Sequence, residues 1–396
     1  MKKIKFILTI FLLLIMYIYI SFISSIPDNI ILLNNEELKI KDIPGIEKVE
    51  TVMTYTDNSD KRNIEFKLFG SISVKSTTIT KLEKIKVVPV GKVIGLKLYT
   101  NGVLVVGMSD IEDKDNVLNK PYENSDIQEG DTILKVNEEI IESIDSLKQV
   151  VNNSNGKELR LTILRDGRIL NTSIVPIEIK NQKYQLGLWV KDAATGVGTM
   201  TFYEPKTNSF GVLGHGINDP DTNKLIDIDT GELVTAKVIS LTRGEVNEPG
   251  EIKGTIINSQ TIGTVNKNTQ FGVFGKLNNL TSLNIDTSDA INVASREEIE
   301  EGEAIILCAI DQSNISKEYK IKIEKKYIEN DYNNKSMLIK ITDEELLKGT
   351  GGIIRGLSGA PIIQNDKFVG AVTNVLVSNP EIGYAVFADM MLKEID

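Results

Sequence analysis

The sequence predicts a mainly β protein, built of several folded units behind an amino-terminal apolar helix, and three observations carry that prediction. The chain has 396 residues, more than a single domain usually holds. Glycine (30) far outnumbers proline (10), and β-branched Ile, Val and Thr recur in alternation with polar residues, the pattern of half-buried strands. An apolar stretch at 6–26 follows Lys2, Lys3 and Lys5 and is long enough to span a bilayer.

Several functional classes fall away on composition. The net charge of -10 and the absence of a dominant basic cluster argue against a nucleic-acid partner, which needs a cationic face for phosphates. One cysteine, Cys308, cannot form an internal disulfide, and with a single histidine, His215, the chain cannot assemble the usual His/Cys zinc sites. No metal and no cofactor is expected. Cys308 sits in the apolar run Ala304-Ile305-Ile306-Leu307-Cys308-Ala309-Ile310 and reads as a buried structural thiol.

Taken in order, residues 1–27 read as a transmembrane anchor. The lysines hold the start of the chain in the cytoplasm and send everything after Pro27 to the other side. The alternative is a cleaved signal peptide, but the apolar run exceeds a typical signal core and no Ala-x-Ala site follows it. Residues 28–86 are charged and short of large apolar runs, and read as a small or loosely ordered stalk.

Residues 87–180 change pattern, with short strands expected at 93–98, 103–108, 132–136 and 159–164, a helix at 144–151, and turns at Asn101-Gly102 and Asp166-Gly167. The stretches Asp126-Ile127-Gln128-Glu129-Gly130-Asp131-Thr132-Ile133-Leu134-Lys135-Val136-Asn137, Leu147-Lys148-Gln149-Val150-Val151 and Leu161-Thr162-Ile163-Leu164-Arg165-Asp166-Gly167 resemble a PDZ domain of the bacterial arrangement. Such domains bind an extended peptide as an added strand, so the resemblance implies peptide binding at Gly95, Leu96, Lys97 and Leu98. The family's Gly-Leu-Gly-Phe loop is reduced here to one glycine, and a purely structural module is the alternative.

Residues 181–396 read as β throughout, with strands at 196–202, 319–324, 337–342 and 368–374, a spacing that suggests a barrel or paired barrels. Their informative segment is Gly356-Leu357-Ser358-Gly359-Ala360-Pro361, which resembles the Gly-x-Ser-Gly-x-Pro loop of chymotrypsin-like proteases. By that resemblance Ser358 is the nucleophile and the backbone amides of Gly356 and Ser358 form an oxyanion hole. A serine needs a base, and His215 is the only side chain here that titrates unperturbed near neutrality. For the acid, Asp343 follows a strand and lies between His215 and Ser358, yet it also precedes Glu344-Glu345-Leu346-Leu347 as a helix N-cap would. On spacing alone the cap is favoured, and Asp219 is a rival acid close to His215.

The region 184–392 is similar to the peptidases of the stage IV sporulation protein B family. The match rests on Leu186-Gly187-Leu188-Trp189-Val190-Lys191-Asp192, Gly196-Val197-Gly198-Thr199-Met200, Gly214-His215-Gly216, Thr350-Gly351-Gly352-Ile353-Ile354-Arg355 leading into the serine loop, Gly370-Ala371-Val372-Thr373-Asn374, and Gly383-Tyr384. The resemblance implies a double β-barrel serine endopeptidase with His215, Asp343 and Ser358 as triad. It further implies self-cleavage within the amino-terminal region, followed by cleavage of an extracytoplasmic protein that restrains a membrane-embedded protease, in the intermembrane space of a forespore. Ala360 and Asn374 stand where the family commonly has serine and histidine, so neither of those side chains is essential here. The rivals are a Ser/Lys dyad, for which only Lys367 and Lys393 follow Ser358, and a PDZ adaptor with a decayed peptidase.

Overall fold

The computed structural model describes residues 2–26, 29–33, 44–56, 59–82, 85–328 and 333–395. The first element is the helix Lys2–Ser25, where the anchor was expected. Several of its side chains lie outside the described residues, and among the described residues no helix is long and apolar enough to cross a membrane.

The expected stalk is a four-stranded sheet, in the order Asn29–Leu33, Ile72–Leu82, Ser59–Leu68, Ile46–Thr56. Ile64, Phe66 and Ile79 are buried together beneath it. Lysine, threonine, serine and glutamate interrupt its apolar positions, so no apolar run marks it in the sequence.

One strand organises the remainder. Lys86–Met108 runs for 23 residues, and its two halves belong to different units. Asn101-Gly102, expected as a turn, lies inside this strand; Gly102 takes φ +97°, and a Cβ on it would lie 2.5 Å from the Ile133 carbonyl oxygen. The glycine therefore bends the strand without reversing it, because each half finds partners elsewhere.

The first half closes a six-stranded antiparallel barrel. Around the ring, Lys86–Met108 is followed by Leu188–Glu204, Ser209–Val212, Gly272–Leu277, Glu251–Thr269 and Ile228–Thr242, which pairs back to the start. Inward-facing Ile94, Leu96, Leu98, Met200, Phe210, Leu233 and Val265 fill it. Gly95, Leu96, Lys97 and Leu98 are thus hydrogen-bonded on both edges, to 194–197 on one side and 231–234 on the other. No edge is left there for a peptide, which corrects the binding-strand assignment: a backbone already paired twice cannot add a third strand.

The second half, Val103 onward, enters the PDZ-like unit with Thr132–Val136, Leu159–Arg165, Arg168–Ile174 and the helix Ile144–Asn153. Val103, Val105, Ile133, Leu147, Val151, Leu161 and Ile163 form its core. Inside, the Asp131 carboxylate is fully buried and receives the Arg165 guanidinium in a two-pronged pair, at 2.6 and 2.7 Å. Beside the strand, residues 188–191 pair with 104–108. The same stretch is tied to the helix at both ends, since the Tyr184 amide donates to Asn152 Oδ1 (3.0 Å) and the Ile144 amide to Asp192 Oδ2 (2.8 Å). The chain itself occupies the space between strand and helix.

A second closed antiparallel barrel is formed by Gly302–Cys308, Lys317–Lys326, Met337–Ile341, Ile382–Phe387, Lys367–Val375 and Pro361–Gln364 in ring order. Cys308 is buried in its core, and burial pushes the thiol pKa up. Phe202 of the first barrel meets Phe368 of the second at 5.6 Å between ring centroids. Phe202, Ala236, Val238 and Phe274 of the first barrel join the second barrel's apolar cluster there, apart from the first barrel's own core.

Because the first barrel borrows its closing strand from before the PDZ-like unit, a fragment of residues 181–396 should lack a cooperative thermal transition, with two strand edges left unpaired. A fragment of residues 85–396 should melt cooperatively. Circular dichroism of both checks this, and a cooperative melt of the shorter fragment would refute the shared-strand reading.

Candidate active site

The strand Ser209–Val212 ends in an abrupt turn that carries the histidine. Leu213 and Gly214 both take positive φ, 73° and 70°, a conformation a leucine adopts only when its surroundings compel it. They do: the Leu213 amide donates to the Thr199 carbonyl at 3.1 Å, and its side chain is buried in the first barrel. His215 follows, half-buried. Burial lowers its pKa below the usual histidine value, and the opposing effect of the hydrogen bond to the Gly216 carbonyl is smaller. That bond joins Nδ1 to the Gly216 carbonyl oxygen at 2.8 Å. A carbonyl can only accept, so Nδ1 carries the proton in the neutral ring and Nε2 is left as a bare acceptor.

The serine loop comes from the other barrel. Gly356 and Gly359 take φ +99° and +93°. Leu357 and Gly359 donate their amides to Ile354 and Val372 at 3.1 and 2.7 Å, whereas among the described residues the amides of Gly356 and Ser358 donate to no protein acceptor. Those two amides, one on each side of Leu357, are donors of the kind an oxyanion hole uses. The Ser358 hydroxyl donates to the Thr373 carbonyl at 2.6 Å.

The two loops interlock across the barrel interface. A Cβ on Gly359 would fall 2.4 Å from the Thr199 oxygen and 2.6 Å from the Leu213 nitrogen. One on Gly214 would lie 3.2 Å from Thr373 Cγ2, on the residue that accepts the serine hydroxyl. Thr199 Oγ1 donates to the Gly356 carbonyl at 2.7 Å, tying the first barrel to the oxyanion loop. Gly214, the residue before His215, and Ser358 therefore both meet the strand Lys367–Val375 at Thr373.

Asp343 is not brought to them. Its Oδ1 accepts the Leu346 amide (3.0 Å), capping the helix Glu344–Thr350, and its Oδ2 accepts the Lys320 amide (3.2 Å). Ala385 lies opposite both Met337 and Val372, so Met337 sits level with the serine site. Asp343 is six residues farther on, beyond the end of that strand at Ile341, where it starts the helix Glu344–Thr350. The carboxylate cannot orient His215 while it caps this helix, which corrects its assignment to the triad. Asp219, the rival acid, is consumed as well: it accepts the amides of Asp221 (3.0 Å) and Thr222 (2.9 Å) and pairs with Lys191 (2.9 Å), shaping the loop after the histidine. Lys367 pairs with Glu298 at the far turn of the serine hairpin.

One residue that the sequence did not single out contributes to this site. Asn268, at the end of Glu251–Thr269, accepts the Ile217 amide at Oδ1 (2.9 Å) and donates through Nδ2 to the Ile217 and Ile226 carbonyls (2.9 and 2.8 Å). An asparagine near a hairpin turn carries no sequence signal that distinguishes it from an ordinary turn residue.

Residues 182–392 match the family described as SpoIVB peptidase S55, more than half of the chain. The chain belongs to that family. It is a serine peptidase, and its substrates are proteins or peptides. Residues 94–175 match the PDZ domain family, a span that begins inside the strand shared with the first barrel. No curated protein matches the chain.

Asp343→Ala should cost the S55 peptidase about 1 kcal/mol of stability through the lost cap, with kcat/KM unchanged within a few-fold. Urea denaturation and peptide hydrolysis measured on one preparation check this. A drop of several orders of magnitude in kcat at an unchanged melting temperature would restore Asp343 to the triad.

Proposed function

We propose that Ser358 and His215 form the catalytic pair of an endopeptidase, with the Gly356 and Ser358 amides as its oxyanion hole. The observation that carries this reading is the meeting of the two loops at Thr373. Rotation of the serine side chain moves its hydroxyl from the Thr373 carbonyl toward His215 Nε2. There the proton passes to the ring as Oγ attacks the substrate carbonyl carbon. The ring returns the proton to the leaving amine, and water repeats the sequence on the acyl-enzyme. The imidazolium formed is held at Nδ1 by the Gly216 carbonyl, a neutral acceptor in place of the usual carboxylate.

The resemblance to the stage IV sporulation protein B peptidases supports a biological setting. The helix Lys2–Ser25 serves as the anchor, with Lys2, Lys3 and Lys5 on the cytoplasmic side and the barrels outside. The enzyme cuts its own amino-terminal region and is released. It then cuts an extracytoplasmic regulator of a membrane-embedded protease during sporulation. Peptide capture at Gly95–Leu98 is not part of this proposal, since those residues are paired on both sides.

Only neutral His215 can accept the serine proton, and burial favours that form. The neutral ring thus persists to lower pH than in a free histidine. The acid limb of kcat/KM should have its midpoint below 6.5, with activity present above it and lost as the pH falls through it. A midpoint above 6.5, or activity appearing only in the lysine range, would remove His215 as base. A fluorophosphonate should label Ser358 in the wild-type chain and not in Ser358→Ala.

Self-cleavage is tested in a heterologous membrane, where the wild-type chain should yield soluble species that keep both domains while Ser358→Ala stays full-length. Purified wild-type enzyme added to Ser358→Ala should generate the same new amino termini. Identical clipping of Ser358→Ala with no active enzyme present would assign the cut to the host.

A further inference from the structure

We propose that Asn268 is the positioning residue for the base, acting on His215 through a single peptide plane. The proposal rests on His215 being the base and names what holds it. The Nδ1 partner is the Gly216 carbonyl, and that carbonyl shares its peptide group with the Ile217 N–H. In a trans peptide these two point in opposite directions, so fixing one aims the other. Asn268 Oδ1 accepts the Ile217 N–H at 2.9 Å, and its Nδ2 grips the carbonyls of Ile217 and Ile226, which blocks rotation of the plane. The hairpin that carries Asn268 also closes on Gly216 directly, since a Cβ there would lie 2.6 Å from the Thr269 carbonyl oxygen. The far end of the loop is closed separately, by the Asn218–Leu225 bridge and the Asp219 hydrogen bonds. The task left to Asn268 is the orientation of one carbonyl, and with it the choice of which ring nitrogen is free for Ser358.

His215 is the only histidine, so the full chain labelled with 15N-histidine gives one imidazole to read. At pH 8 the ring is neutral, and the correlations of each ring nitrogen with the Hδ2 and Hε1 protons identify its tautomer. The wild-type chain should show Nδ1–H. Asn268→Ala should shift the ring toward Nε2–H and lower kcat roughly tenfold with KM unchanged. Asn268→Asp keeps an acceptor for the Ile217 amide and should keep Nδ1–H, although its melting temperature falls because two carbonyls now face a carboxylate. A wild-type ring protonated at Nε2, an Asn268→Ala spectrum like the wild type, or an Asn268→Asp spectrum like Asn268→Ala would each overturn the proposal. Fluorophosphonate labelling of wild-type Ser358 is read in parallel. Its absence would sink the catalytic reading of the pair and leave the tautomer result intact.

Discussion

A single strand, Lys86–Met108, holds the molecule together. Its first half completes the barrel that carries the histidine, and its second half supplies a strand of the PDZ-like sheet. Its beginning pairs with 291–292, on the way into the second barrel. Closure of a barrel removes every exposed edge, and here closure depends on a strand that precedes the PDZ-like unit in the chain. The PDZ-like unit is therefore an insertion between the first and second strands of a barrel, continuous with it on both sides.

The loops that carry His215 and Ser358 meet where the outer face of the first barrel packs on the second. Phe202 and Phe368 meet there, and truncating either would cost about 3–5 kcal/mol in a core packed this closely. That packing sets the distance between the two loops. The glycines at 214 and 359 let those loops approach until no side chain fits between them. Specificity of approach is thus produced by packing and main-chain hydrogen bonds, with few side-chain contacts.

The histidine is oriented differently from the triad of chymotrypsin-like enzymes. Both candidate carboxylates are committed to structure: Asp343 caps a helix, and Asp219 organises a turn with Lys191. A main-chain carbonyl takes the Nδ1 proton instead. A neutral acceptor stabilises an imidazolium less than an ionised one, and a buried ring without an adjacent anion titrates low. The direction of the His215 shift is consistent with this arrangement.

By itself the sequence determined the local facts. Alternation marked some strands of each barrel and of the PDZ-like unit, Asp166-Gly167 marked a turn, and the glycines around Ser358 and His215 marked two loops. It even placed Asp343 correctly as a cap before the family likeness promoted it to the triad. The structure decided everything that depends on pairing at a distance. Whether Asn101-Gly102 reverses the chain depends on which partners the two half-strands find, and these lie as far away as residues 194–197 and 231–234. The same holds for the edges of Gly95–Leu98, closed by strands from elsewhere in the barrel, and for Asn268, joined to His215 only when two hairpins meet. Hydrophobic period is written in neighbouring residues, but strand partners and hydrogen-bond acceptors are chosen by the closed barrel, so they are absent from any window of the chain.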